Sequence, residues 1–315
     1  VAILLHNNGY GDHEWHQALS HALPEHNIVR FVDGPLSKAQ CAEIEFAVIW
    51  DHPVGDLANY PNLQGVLLLG AGTERLDRDS SVPLVPIARL IDPAVLQDMA
   101  HYALYWVMDL QRGYLQYRAQ QALSQWHRHP SRAVADFQVT VLGLGPVGSA
   151  VAQQLQLNGY QVKGWSKSQH HLKGIECFHT TEQLPTALHN TDVLINCLPL
   201  NSNTEQFIDA QLLSKLPKGA SLINISRASV LSEQALFDCL ASAHVQRAIL
   251  DVFEQEPLSK NAPHWQHPQI TVTPHISGAT YARTAAILIA ADIRKIQRNE
   301  QPSYPHQHPA HLVLA

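Results

Sequence analysis

The sequence has little of what marks a nucleic-acid-binding, membrane or secreted protein. Charge is sparse at 15%, with 21 Lys and Arg against 27 Asp and Glu, for a formal net charge of −6. There is thus no basic footprint for nucleic acid or an anionic membrane, and any binding of charge has to be local. Cysteine is scarce too. Cys41, Cys177, Cys197 and Cys239 are scattered without C-x-x-C spacing, which suits reduced thiols in the cytoplasm better than a disulfide frame. No apolar run reaches the roughly 20 residues that a spanning helix needs, and the chain opens on strand-like Val1–Leu5, so neither a signal peptide nor a transmembrane segment is expected. No solenoid repeat or low-complexity tract is visible. What is present is 315 residues with 45% apolar content, enough for about two globular domains.

The order of apolar runs implies an α/β fold with parallel sheets. Val1–Leu5, Ile28–Val32, Phe46–Trp50, Gly65–Leu69 and Leu84–Ala88 read as strands of a first unit that lacks a glycine fingerprint. From Asp92 to about Ala119 a helical pattern follows, with Met99, Ala103, Trp106 and Leu110 at three- and four-residue steps. The polar segment Gln125–Arg132 leads into a second series of strands at Val139–Leu142, in the run Gln161–Ser168, and at Val193–Leu198, Ser221–Ile225, Arg247–Val252 and Ile270–Thr273. Helices are expected at Asp209–Leu216, Ser232–Ser242 and Tyr281–Gln297, the last crossing back to the first unit. The expected division is residues 1–93 with 282–315, and 94–281.

The densest signal is Val139–Gly148. A β-branched run is closed by the G-x-G-x-x-G turn of Gly143, Gly145 and Gly148, and Ser149–Leu155 opens a helix. In that context the glycines form a dinucleotide-binding fingerprint: Gly143 for the tight turn, Gly145 for approach of the pyrophosphate, and Gly148 for helix–strand packing. Pro146 and Val147 lie at the positive end of the helix. About 20 residues on, an acid would grip the free ribose 2′-hydroxyl of NAD(H). Here the residues are Ser166, Lys167 and Ser168, and no Asp or Glu occurs between Gly148 and Glu176. Hydroxyls and a lysine can take a 2′-phosphate, so the pattern favours NADP(H) while leaving NAD(H) open.

Three polar residues then end successive strands, where α/β proteins place their ligands. Arg227 follows Leu222–Ser226, Glu256 lies in Asp251–Pro257, and His275 lies in Thr273–Gly278. An arginine for a carboxylate, a histidine to give a proton and an acid to hold the imidazole suffice to reduce a 2-oxo acid.

The series G-x-G-x-x-G, Asn224-x-x-Arg227, Asp251-Val252-Phe253-x-x-Glu256-Pro257-Leu258 and Pro274-His275-Ile276-Ser277-Gly278 resembles the D-isomer-specific 2-hydroxyacid dehydrogenases. Trp165–Ser168 is similar to their glyoxylate/hydroxypyruvate reductase A branch. The resemblance implies two flavodoxin- or Rossmann-like domains with a cleft between them, residues 94–281 binding the dinucleotide and the remainder the substrate. It further implies a homodimer through the coenzyme domain and Arg227, Glu256 and His275 as the catalytic set. By the same resemblance Asp251 stands near the nicotinamide carboxamide, Leu198, Pro199 and Leu200 run along the cofactor, and Gly70, Ala71 and Gly72 receive the substrate carboxylate. Trp126 lies in the segment that such dimers can lend to a neighbouring site. The chain departs from the family at Ala228 and Ser229, where a glycine usually follows the arginine. It departs also at His101, where an acid is usual, and at Thr73, Glu74 and Arg75 after the Gly70 loop.

Histidine is abundant, at 20 residues, but its spacing does not build a metal site: His13 and His16 lack the i, i+4 separation, and no convergent ligand set is visible. His127, His129, His170, His171, His306, His308 and His311 read as solvated. Two functions remain: NADPH-dependent reduction of small 2-oxo acids such as glyoxylate and hydroxypyruvate, and dinucleotide sensing by a binding protein of the same fold.

Overall fold

The apolar runs of the amino-terminal part carry no polar alternation because the strands they form are buried on both faces. The computed structural model describes residues 1–7, 9, 11–50 and 52–312. Its first unit comprises Val1–Val95 and Thr280–Ala315, and its second Leu96–Ala279. In the first, β1 (Ala2–His6), β2 (Asn27–Arg30), β3 (Ile44–Ile49), β4 (Gly65–Leu68) and β5 (Ile87–Ala88) pair in parallel in the order β2-β1-β3-β4-β5. One face packs Ile3, Leu5 and Phe46 against Trp15 and Leu19 of helix Asp12–Ala22 and Ile289 and Ile293 of helix Ala282–Gln297, which returns to this unit. The opposite face packs Leu4, Ala47 and Ile49 against Leu57 and Leu76. The strand expected over Leu84–Ala88 is reduced to two residues, since Pro83 and Pro86 cannot donate to a ladder.

The second unit holds β6 (Gln138–Leu142), β7 (Gln161–Trp165), β8 (Glu176–Phe178), β9 (Val193–Asn196), β10 (Ala220–Asn224), β11 (Val245–Leu250) and β12 (Ile270–Val272). All run parallel, in the order β8-β7-β6-β9-β10-β11-β12. Chain order reverses between β6 and β9, and the crevice at the carboxyl ends of those two strands is where such sheets bind ligands.

Other local expectations are corrected. The helical pattern from Asp92 to Ala119 is two helices, Pro93–Arg112 and Tyr114–Ala122, because Gly113 takes the left-handed conformation at φ 68° and ends the first. Strand β8, three residues long, is too short to leave a pattern. A last strand, β13 (Pro305–His306), pairs antiparallel with β5 and makes the first sheet mixed. The carboxy-terminal histidines are not solvated ornaments either. His306 Nε2 lies 2.6 Å from Asp77 Oδ1, His308 Nε2 2.8 Å from the Leu76 carbonyl and His311 Nε2 3.0 Å from the Val82 carbonyl, so they fasten the tail to the first unit.

Among the described residues no helix is long and apolar enough to cross a membrane, no group of three or more His, Cys, Asp or Glu is arranged to hold a metal, and the four cysteines are free and partly buried.

Candidate active site

The turn after β6 shows why each glycine stands where it does. Gly143 has φ +90°, and a Cβ there would lie 2.7 Å from the Cys197 backbone, because the loop leaving β9 crosses directly over it. At Gly148 a Cβ would stand 1.7 Å from the Gly143 carbonyl oxygen, so the helix Pro146–Leu157 can start this close only without a side chain. Gly145 differs. A Cβ there meets nothing within 4 Å; the protein does not need this glycine for its own packing, and the open space is what a pyrophosphate at the helix start requires. Gly145 caps the helix without a side chain and Pro146 begins it, leaving backbone N–H groups of the first turn for an anion. The residues present therefore fit a dinucleotide.

At the tip of β7 the three candidates separate. Ser166 is buried, and its hydroxyl donates to the Ser168 carbonyl at 2.6 Å, so it shapes the turn. Lys167 and Ser168 are exposed, and Ser168 Oγ lies 3.1 Å from His170 Nε2.

At β9 and β10 the sequence reading missed a pair. Asn196 and Asn224, both buried, face each other across the two strands, the Asn196 amide donating to Asn224 Oδ1 at 3.0 Å. Asn196 Oδ1 accepts from Leu198 N–H at 3.1 Å and Asn224 Oδ1 from Ser226 N–H at 3.2 Å, while the Asn224 amide donates to the Arg227 carbonyl at 3.3 Å. The Ser226 hydroxyl donates to the Leu198 carbonyl. One buried network thus ties the Leu198–Pro199–Leu200 loop to the turn that presents Arg227; the signal in the sequence was a polar residue ending each of two apolar strands. Arg227 has extended backbone and its Nη1 donates to the Ser226 carbonyl at 2.9 Å. Ala228 and Ser229 enter a short 3₁₀ turn, and the Ser229 carbonyl accepts from Gln206 N–H at 2.7 Å.

His275 and Glu256 meet: Nδ1 stands 2.7 Å from Glu256 Oε2, and Glu256 Oε1 accepts from the Phe253 N–H at 2.9 Å. Burial alone would raise the Glu256 carboxyl. The hydrogen bonds from His275 and Phe253, with the charges of His275 and Arg227, outweigh it and hold the group below the usual carboxylate range. His275 occupies left-handed backbone at φ 54°, uncommon for a residue with a side chain.

Asp251 is what holds His275 there. Its carboxylate is fully buried and accepts from the Thr273 hydroxyl at 2.6 Å, Ile276 N–H at 2.9 Å and Ser277 N–H at 2.8 Å. Its carbonyl accepts from His275 N–H at 2.9 Å. Thr273 in turn shares a 2.6 Å hydrogen bond with the Tyr102 hydroxyl. The acid is therefore an internal brace of the His275 loop.

The remaining candidates belong to other elements. Gly70, Ala71 and Gly72 follow β4 in the first unit, where a Cβ on Gly70 would come within 2.3 Å of the Trp50 ring, a partner that the sequence did not disclose. Trp126 is 96% exposed in a segment without regular structure, and His101 is exposed on its helix.

Known proteins resemble this chain over nearly its whole length. Residues 104–277 match the family model described as D-isomer specific 2-hydroxyacid dehydrogenase, NAD binding domain. A D-isomer specific 2-hydroxyacid dehydrogenase from Xanthobacter autotrophicus Py2, solved with NADPH and MES, is 36% identical with a TM-score of 0.92, over 97% of this chain and 98% of that one. A family protein from Klebsiella pneumoniae 342 is 31% identical with a TM-score of 0.89, over 99% and 98%. An NADPH-dependent glyoxylate/hydroxypyruvate reductase from Sinorhizobium meliloti, solved with NADP and sulfate, is 26% identical with a TM-score of 0.92, over 98% and 99%. With the family model matching more than half of the chain and a solved relative 36% identical over 97% of it, the chain belongs to the D-isomer specific 2-hydroxyacid dehydrogenase family.

Proposed function

We propose that the protein reduces small 2-oxo acids, glyoxylate and hydroxypyruvate foremost, to 2-hydroxy acids with NADPH in the cytoplasm. The observation that carries this reading is the 2.7 Å pairing of His275 with Glu256 at strand ends neighbouring that of Arg227. The dinucleotide, when bound, supplies the hydride that reaches the carbonyl carbon. Arg227 offers a planar fork to the substrate carboxylate and polarises the carbonyl; its bond to the Ser226 carbonyl holds the guanidinium in place. His275 gives the Nε2 proton to the carbonyl oxygen, while Glu256 keeps Nδ1 engaged and steadies the positive ring. The turn of Gly143, Gly145, Pro146, Val147 and Gly148 receives the pyrophosphate, and Lys167 with Ser168 the 2′-phosphate.

A homodimer through the second unit is part of the proposal. Tyr105, Met108, Tyr114, Leu123 and Trp126 are exposed apolar side chains on its two leading helices and the segment after them. Sedimentation should give twice the chain mass.

The deciding experiment is NADPH oxidation followed with glyoxylate, hydroxypyruvate, pyruvate and 2-oxo-isocaproate in parallel. Turnover on glyoxylate and hydroxypyruvate supports the reading. NADPH binding with no turnover on any of the four would favour a sensing role and overturn it.

A further inference from the structure

The loop that follows β7 borders a cavity of about 340 Å³ whose lining includes His170, His171, Lys173 and His179, with Gln169 and Gln183. The cavity is joined to the proposed 2′-phosphate residues: His170 Nε2 lies 3.1 Å from Ser168 Oγ, and His171 Nε2 lies 3.2 Å from Gln169 Nε2. No carboxylate lines it; its other ionisable groups are Lys173 and, from β8, the Cys177 thiol, with Lys167 exposed on the adjoining turn and Glu176 and Glu182 pointing to solvent nearby. Three of the cationic groups available to an anion there are imidazoles, whose charge ordinarily changes between about pH 5 and 8, and the permanent ones are two lysines.

We infer that binding of the 2′-phosphate is coupled to proton uptake by these histidines, so that discrimination for NADP(H) over NAD(H) is strongest in mild acid and weakens as the pH rises. The inference rests on the cofactor reading above. A phosphate dianion among the imidazoles favours their charged forms, so the complex binds more protons than the free protein, and by linkage affinity falls as pH rises through the histidine range. The phosphate's own ionisation, near pH 6 or about there, drives the opposite trend, because it gains charge as pH rises. The two explanations therefore differ in sign.

The test is calorimetric titration of the full chain with 2′,5′-ADP and with 5′-AMP between about pH 6 and about pH 8.5, at fixed ionic strength and in two buffers of different ionisation heat. The ratio of the two affinities should fall about ten-fold or more across that range, with net proton uptake on binding 2′,5′-ADP near neutrality. In His170→Gln, and in a variant combining it with His171→Gln and His179→Gln, the fall should shrink and then vanish. A ratio that stays flat or rises with pH while 2′,5′-ADP is still preferred, or proton release in the parent protein, overturns this inference and leaves NADP(H) preference standing. Equal affinity for the two ligands at every pH overturns both.

Discussion

The Nδ1 of His275 stands 2.7 Å from Glu256 Oε2, and the other oxygen of that carboxylate is taken by the Phe253 N–H. The imidazole therefore has its Nδ1 committed to Glu256, and Nε2 is the nitrogen from which the proposed mechanism gives the proton. Because the Glu256 carboxyl lies below its usual range, the pairing is complete above the ordinary carboxylate value and is lost only as pH falls through the lowered one. Glu256→Gln keeps a hydrogen-bonding side chain beside Nδ1 and removes its charge, so kcat/KM should fall while NADPH affinity is retained; parental kcat/KM, with chemistry shown to limit the rate, would dissolve the pairing. His275→Ala should cost about 10²–10⁴ in kcat with NADPH affinity retained.

Arg227→Lys keeps the charge and loses the fork. Since a lysine is a point charge and cannot engage carboxylate and carbonyl in one plane, kcat/KM for every active oxo acid should drop while NADPH affinity stays as it was. Parental kcat/KM would make the residue a structural anchor of the turn after β10.

The glycine turn offers a separation of folding from binding. Gly148→Ala forces a Cβ into the space 1.7 Å from a backbone oxygen, so it should cost stability by at least about 1–3 kcal/mol and lower the melting temperature. Gly145→Ala points into open space; it should melt like the parent yet bind NADPH far more weakly. Paired melting curves and cofactor titrations decide, and unchanged binding in Gly145→Ala would move the pyrophosphate elsewhere.

Cofactor choice is tested at the β7 turn. Lys167→Ala should weaken NADPH about ten- to a hundred-fold, the loss of a charge-assisted contact of about 1.5–3 kcal/mol, and leave NADH nearly untouched. Equal losses of both cofactors in Lys167→Ala would rule out the assignment.

Much of the fold could be read from local pattern. The apolar runs of β1, β3, β6, β9 and β10 announce themselves because strands buried on both faces need continuous hydrophobicity, and helices Glu233–Ala241 and Ala282–Gln297 fall within the expected stretches. Gly113, β8 and β13 escaped: one residue's left-handed φ and strands of three and two residues leave too short a trace, and edge pairing depends on which segment arrives alongside.

The sequence by itself determined the residue types and their order: the fingerprint turn, the missing acid after β7, and an arginine, an acid and a histidine ending successive strands. These are legible because each is a chemical requirement carried by a short stretch of chain. Only the tertiary structure decided how they are used. It turned the Ser166 hydroxyl inward, gave Asp251 to the backbone of the His275 loop and joined Asn196 to Asn224 beneath Arg227. The physical reason is that a buried polar group must find its hydrogen-bond partner wherever the fold supplies one, and residues 28 apart become partners only when parallel strands lay them side by side.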